Sequence, residues 1–399
     1  MSEVSNIPQL RFPEFSGDWE EKELGDISTK IMYGIGSAAT KYDGVNKYLR
    51  ITDIDDSSRS FAPKPLTSPE GFIDDRYRLS SGDLVFARTG ASVGKSYLYK
   101  KNDGNLIFAG FLIKFNISNA EPYFVYSNTF RGAYDNWVSV MSVRSGQPGI
   151  NAEEYKILPI KLPTKPEQTK IAAFLTTVDN KIEQLSKKQE LLGEYKKGLM
   201  QQIFSQAIRF KADDGSDFPD WRVGELSNLI EISSNKFNPN TSNESKKCIE
   251  LEHLSQETGE LLGYTDSTEQ ASTKNAFTKG QVLFGKLRPY LKKFWLSQFD
   301  GVCSSEIWVL NGKELTNSYL FQFVQTNKFN QIANVSSGSK MPRSDWKYMA
   351  QVPFKYTTLP EQQKIANFLS SIDNKIEKVG KQLDESKQFK KALLQQMFV

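Results

Sequence analysis

The sequence has one histidine, His253, and only two cysteines, Cys248 and Cys303, in 399 residues. Zincin motifs and two-metal histidine clusters need at least two histidines, so both are excluded. A histidine-assisted nucleophile would have to use His253. No nucleophile-elbow sequence or family cysteine signature stands near it, and a structural role is expected. Two cysteines cannot build a disulfide framework or a multi-cysteine zinc site, which suits a reducing compartment. No apolar run approaches the roughly 20 residues that cross a bilayer, so no membrane partner is expected. The opening Met-Ser-Glu-Val-Ser-Asn lacks the basic and apolar regions of a secretory signal, and a cytoplasmic location follows as the expectation. Hydrophobic residues make up 38% and charged residues 25%, the balance of a globular chain with real cores. At about 100–200 residues per domain, two or three domains fit. The net charge of +4 is mild, so any polyanionic partner must show itself in where the charge sits.

What the sequence does contain is itself, twice. Pro166–Phe204 and Pro360–Phe398 align without gaps, and 20 of 39 positions are identical. Weaker echoes precede each copy. Arg11-Phe12 returns as Arg209-Phe210, Gly-Asp-Trp19 as Pro-Asp-Trp221, and Gly82-Asp-Leu-Val-Phe86 as Gly280-Gln-Val-Leu-Phe284. The chain therefore reads as two similar halves, each a variable domain followed by a constant segment.

Both constant segments are predicted helices. Thr164-Lys-Pro-Glu167 and Thr358-Leu-Pro-Glu361 each fit a capping box, with Pro166 and Pro360 in the first turn, where a missing N–H costs nothing. Apolar residues then recur at steps of four and three. Ile171, Leu175, Val178, Ile182 and Leu185 lead the first series, and Ile365, Leu369, Ile372, Ile376 and Val379 the second. A seam sustained over about five heptads predicts a coiled coil. Gln189, Lys196, Ser386 and Lys390 are its polar breaks, of the kind that fix register.

The variable parts carry strand-like runs at Leu84–Phe86, Leu106–Phe108, Phe111–Phe115, Val282–Phe284 and Glu306–Leu310. Short helices are expected near Tyr123–Ser127 and Ser318–Thr326. The expected fold is α+β: residues 1–163 form a mixed domain, 164–206 a central helix, 207–357 a second mixed domain and 358–399 a C-terminal helix. The two helices form an antiparallel coiled coil within an internal pseudo-two-fold repeat.

Charge gathers at matching places. Arg88, Lys95, Lys100 and Lys101 follow the Gly82 strand with no acid among them, and Lys286, Arg288, Lys292 and Lys293 follow the Gly280 strand. Such local concentration suits phosphate neutralisation, and the interleaved aromatics suit stacking or rigid support. The loops before the helices add Arg144 and Gln147 in the first half, Lys340 and Arg343 in the second. Gln, Arg and Lys are side chains that read base edges. Two other matches fail. Gly90-Ala-Ser-Val-Gly94-Lys95-Ser96 has three residues between its glycines where a phosphate loop has four. Pro219-Asp220 with Glu244-Ser-Lys246 superficially matches a PD-(D/E)xK nuclease, but the second part lies in a polar loop rather than on a strand that could aim carboxylates at Mg²⁺.

The whole chain resembles the specificity (S) subunits of type I restriction–modification systems. The resemblance is carried by the duplicated Pro-Glu-Gln-x-x-Lys-Ile-Ala-x-Phe-Leu segments at 166 and 360 with their Asp-Asn-Lys-Ile-Glu continuations. Gly82-Asp-Leu-Val-Phe-Ala-Arg-Thr-Gly90, Val282-Leu-Phe-Gly-Lys-Leu-Arg-Pro-Tyr-Leu291 and Pro13-Glu-Phe-Ser-Gly-Asp-Trp19 also carry it. The resemblance implies a non-catalytic subunit whose two target-recognition domains each read one half of a bipartite double-stranded DNA site. It implies helices that act as a spacer and dock methyltransferase (modification) subunits, with restriction (motor-nuclease) subunits completing the complex. No catalytic, cofactor or metal residue is then expected in this chain, because S-adenosylmethionine, ATP and Mg²⁺ belong to the partners. On the residues alone, a self-contained nuclease and a coiled-coil protein scaffold stay open.

Overall fold

A computed structural model describes residues 6–144, 146–242, 244–335 and 340–399. The two repeat segments form helices α1 (Lys165–Phe204) and α2 (Leu359–Gln396). The chain divides into two compact units, residues 1–186 with 381–399, and residues 187–380. Each helix gives one part to each unit.

In the first unit, strands β1 (Ser28–Tyr33), β2 (Asp83–Ala87), β3 (Ser96–Leu98) and β4 (Leu112–Ile117) form an antiparallel sheet in the order β1-β4-β2-β3. The second unit repeats it with β5 (Ile230–Ile232), β6 (Val282–Gly285), β7 (Phe294–Leu296) and β8 (Ile307–Gly312), in the order β5-β8-β6-β7. Alternate side chains of a strand point to opposite faces. Here both faces are covered, which is why these strands read as unbroken apolar runs. Leu84 and Phe86 join the core that contains the helices, while Val85 and Ala87 join a second cluster with Leu49, Leu106 and Phe108. Val282 and Phe284 against Leu283 divide in the same way.

The rest of the framework is also written twice. Glu20–Glu23 pairs with Pro159–Leu162, and Arg222–Glu225 with Pro353–Tyr356, tying each lead-in segment to the strand just before its helix. A parallel pair, Lys47–Leu49 with Leu106–Phe108, returns as Lys247–Ile249 with Gly301–Cys303.

The helix starts correct one expectation. Glu167 and Glu361 do not serve a capping box with the preceding threonines, and the buried Thr358 hydroxyl has no partner. Both carboxylates instead receive an arginine. Arg11 donates Nε and Nη2 to Glu167 at 2.8 and 2.8 Å, and Arg209 does the same to Glu361 at 3.2 and 2.9 Å. The neighbouring glutamines clamp each helix to its unit. Gln168 donates to the Pro163 carbonyl at 2.8 Å and accepts from the Glu121 amide at 2.9 Å; Gln362 donates to Thr357 and accepts from Thr316 at the same distances. These contacts give the repeated Pro-Glu-Gln sequence a physical reason.

The seam packs inside its own units. Ile171, Leu175 and Val178 share one core with Leu393 and Met397, so the start of α1 lies with the end of α2. In the second unit Ile203 and Leu199 share a core with Ile365, Leu369, Ile372 and Ile376. The helices run antiparallel in both. Leu185 and Val379 are buried and Ile182 is half-buried. Of the ten seam residues assigned to the coiled coil and to subunit docking, seven are thus buried within the chain, and Val178, Ile182 and Ile376 are half-buried. Of the polar breaks, Lys196 meets Asp373 at 2.7 Å in one unit and Lys390 meets Asp179 at 2.7 Å in the other. The two pairs are equivalent in the repeat.

Candidate nucleic-acid interface

In each unit the turn after the central strand is fastened to the loop before the helix. The turn carries Arg88 and Gly90 in the first unit. The Arg88 amide donates to the Phe111 carbonyl at 3.1 Å, the Gly90 amide to Pro148 at 2.9 Å, and the Ile150 amide to the Arg88 carbonyl at 2.9 Å. In the second unit the Lys286 amide donates to Glu306 at 2.9 Å, Arg288 to Pro342 at 2.8 Å, and Ser344 to the Lys286 carbonyl at 2.9 Å. The bridge Thr89–Gly149 matches Leu287–Arg343. The backbone frame is the same; the side chains on it are not. Arg88 stands opposite Lys286 in the repeat, Gly90 opposite Arg288, Gln147 opposite Met341, Gly149 opposite Arg343, and Phe111 opposite Glu306.

The structure thus joins two loop sets that lie far apart in sequence. Arg88 sits half-buried over Tyr33 at 5.0 Å and Phe111 at 5.8 Å from the ring centroids, and both of these residues are exposed. Gln147 lies against Gly90. In the second unit Arg288 and Lys340 are exposed and Lys286 is half-buried, and none of the three forms an ion pair among the described residues. Tyr290 and Met341 are exposed beside them. Residues 145 and 337–339 of the pre-helix loops lie outside the described residues.

Several expected contacts are placed elsewhere. Lys95 and Lys293 occupy equivalent positions just before β3 and β7 and both turn inward, correcting their assignment to a DNA surface. Lys95 donates to the Ile54 carbonyl at 3.1 Å and pairs with Asp56; Lys293 donates to Leu251 at 2.6 Å, and burial lowers its pKa. Each holds a short helical turn, Ile51–Asp53 or Leu251–His253, against the sheet. Lys100 is exposed, but the hairpin register puts it at the opposite end of β3 from Arg88, about 20 Å along the strands. Arg144 and Arg343 are neutralised by Glu154 at 2.5–2.6 Å and Glu306 at 2.9–3.1 Å, and Lys292 pairs with Glu257 at 2.7 Å.

A model of the type I restriction modification DNA specificity domain matches twice, at residues 16–192 and 219–385. The chain belongs to this family. Among its relatives, the MjaVIII type I restriction enzyme specificity subunit of Methanocaldococcus jannaschii is 23% identical over 412 residues, covering 96% of this chain and 92% of that one. The EcoDI specificity subunit of Escherichia coli is 24% identical over 273 residues, 60% of each chain. The S subunit of the type I system of M. genitalium shares the fold with a TM-score of 0.64 at 14% identity, covering 98% and 99%.

Among the described residues no group of three His, Cys, Asp or Glu side chains could hold a metal ion. Glu244 is paired with Lys246 at 3.0 Å, and Asp220 is an exposed neighbour of Arg209 at 3.7 Å. In the Gly90–Ser96 turn the amides of Val93, Gly94 and Lys95 donate to the carbonyls of Gly90, Ala87 and Ser92, so these three are committed within the turn. His253 accepts the Glu250 amide on Nδ1 at 3.0 Å, as Asp53 accepts the Arg50 amide at 2.9 Å in the first unit. Among the described residues no helix is long and apolar enough to cross a membrane. Sequence reading missed Tyr33, whose ring supports Arg88 from a separate strand; only its exposure in the fold reveals it.

Proposed function

We infer that the chain is the DNA-reading subunit of a type I restriction–modification complex, with one domain for each half of a bipartite site. The observation behind this reading is the constant loop frame carrying different side chains in two copies of a DNA specificity domain. Backbone hydrogen bonds hold the loops in place, so the projecting side chains are free to vary. Because the two sets differ, the half-sites differ. Lys286, Arg288 and Lys340 supply phosphate neutralisation in the second domain. Methyltransferase and restriction subunits bind S-adenosylmethionine, ATP and Mg²⁺ and perform the chemistry in the cytoplasm, while this chain selects the sequence.

The test is to express the chain with its partner subunits and map methylated sites across the genome. Two unlike half-sites separated by an unread gap are expected. Replacing residues 20–160 with the corresponding domain of another family member should change one half-site and leave the other. If both changed together, independent reading would be wrong.

A further inference from the structure

Arg88 is the side chain in the first loop cluster whose geometry points to one ligand group. Its amide and carbonyl are both committed to the frame, so its Cα position is fixed. Its guanidinium lies over two rings, Tyr33 at 5.0 Å and Phe111 at 5.8 Å. Its Nε is buried and has no hydrogen-bond partner. Among the described residues no carboxylate pairs with it, in contrast to Arg144, which Glu154 neutralises. The fork is thus stacked, charged and internally unsatisfied, and its two terminal nitrogens are the donors left to an outside group.

Resting on the DNA-reading function above, we propose that Arg88 reads a guanine in the half-site of the first domain. A planar fork donating two parallel N–H groups matches the O6 and N7 acceptors of guanine in the major groove. Because Nε is enclosed, the approach is end-on through Nη1 and Nη2. Stacking on Tyr33 and Phe111 removes rotamer freedom before DNA arrives, which favours a directional two-bond contact. A phosphate accepts the same fork; a guanine contact differs in being confined to one base position, whereas a phosphate contact acts alike on every sequence. The second domain has Lys286 at the equivalent position and Glu306 in place of Phe111, so it lacks this reader.

The test uses the complete complex with its methyltransferase partners and compares wild type, Arg88→Ala and Arg88→Lys by methylated-site mapping and by DNA binding at several salt concentrations. The expected result is that both variants lose discrimination at one guanine-containing position of one half-site, by about 5- to 150-fold. The other half-site stays as stringent as before, which also reports that the variants are folded. Retention of full stringency by Arg88→Lys would overturn the proposal. So would uniform weakening across sequences with a shallower salt dependence, the signature of a phosphate contact. If wild type itself recognised no bipartite site, the functional reading would fail first, and this proposal with it.

Discussion

The buried Arg–Glu pairs at the helix starts offer an experiment with its own internal control. The Glu167 side chain is 1% exposed and Arg11 12%, and Arg11 supplies both of the side-chain donors that reach the carboxylate among the described residues. Arg11→Met therefore strands a buried charge, which costs about 3–5 kcal/mol. Glu361 is equally enclosed, but it also accepts from the Trp221 indole at 3.2 Å and from the Thr357 hydroxyl. Those donors remain when Arg209 is removed, and a hydrogen bond to a charged group contributes about 1.5–3 kcal/mol. Arg209→Met should then cost about 2 kcal/mol less than Arg11→Met. Hydrogen exchange read by mass spectrometry over residues 166–178 and 360–372 follows each unit separately in the same molecule. Adding Glu167→Gln to Arg11→Met should restore much of the lost protection, because the stranded charge is gone. The reasoning fails if Arg11→Met costs no more than the roughly 1 kcal/mol of a surface pair, or if Arg209→Met is the more damaging change.

A methyl group at Gly312 would sit 1.8 Å from the Leu315 carbonyl oxygen, so Gly312→Ala should abolish the folded second unit; a wild-type circular dichroism spectrum and yield would contradict this. Asp55 has its pKa lowered from 3.8 to about 2, chiefly by the Ser58 amide and hydroxyl. Its contribution is present above the unfolded value and is lost as pH falls through the folded one, so Asp55→Asn should flatten acid destabilisation of the first unit between about pH 4 and 2. Lys196 and Asp373 are 12% and 29% exposed. Lys196→Met alone should cost about 2 kcal/mol, between a surface and a fully buried pair, and Lys196→Met with Asp373→Leu should recover most of it in a double-mutant cycle. Removing the charges of Lys286, Arg288 and Lys340 together should lower the log–log salt slope of DNA binding by about 2–3, and an unchanged slope would take these residues off the interface.

The helices were legible because their signal is local and periodic. The seam needs only a four-three spacing and the duplication repeats it, so the predicted segments 164–206 and 358–399 enclose the observed Lys165–Phe204 and Leu359–Gln396. The strands were legible where both faces are apolar, as at Asp83–Ala87 and Val282–Gly285. Local rules misled at the helix starts. Thr-x-Pro-Glu fits a capping box, yet an arginine 156 residues before Glu167 outcompetes the backbone amide for the carboxylate. The loop frame was invisible for the same kind of reason. Arg88 and Ile150 meet through backbone atoms, which leave no trace in side-chain pattern. Nor can a count of cations separate Lys95, which clamps a buried turn, from Arg288, which faces solvent.

Comparing the two halves separates what the fold needs from what it leaves free. At the helix junctions and under the sheet, six pairs of internally partnered positions carry the same residue in both halves: Arg11 and Arg209, Glu167 and Glu361, Gln168 and Gln362, Lys95 and Lys293, Asp179 and Asp373, Lys196 and Lys390. On the loop frame the pairs diverge: Arg88 and Lys286, Gly90 and Arg288, Gln147 and Met341, Gly149 and Arg343. The energetics explain why divergence is tolerated there. Frame hydrogen bonds run through backbone atoms, so side-chain changes leave them in place, save for proline at a donating position or a β-branched residue where φ is positive, as at Gly90 and Arg288. The ion pair that a frame side chain makes in the second unit, Arg343 with Glu306, is 46% and 25% exposed and contributes about 0–1 kcal/mol. Changing what the loops present thus costs little of a stability held in the helix junctions and the two-faced sheets. On the proposed reading surface, substitution can then change the target while the parts that assemble the subunit stay fixed.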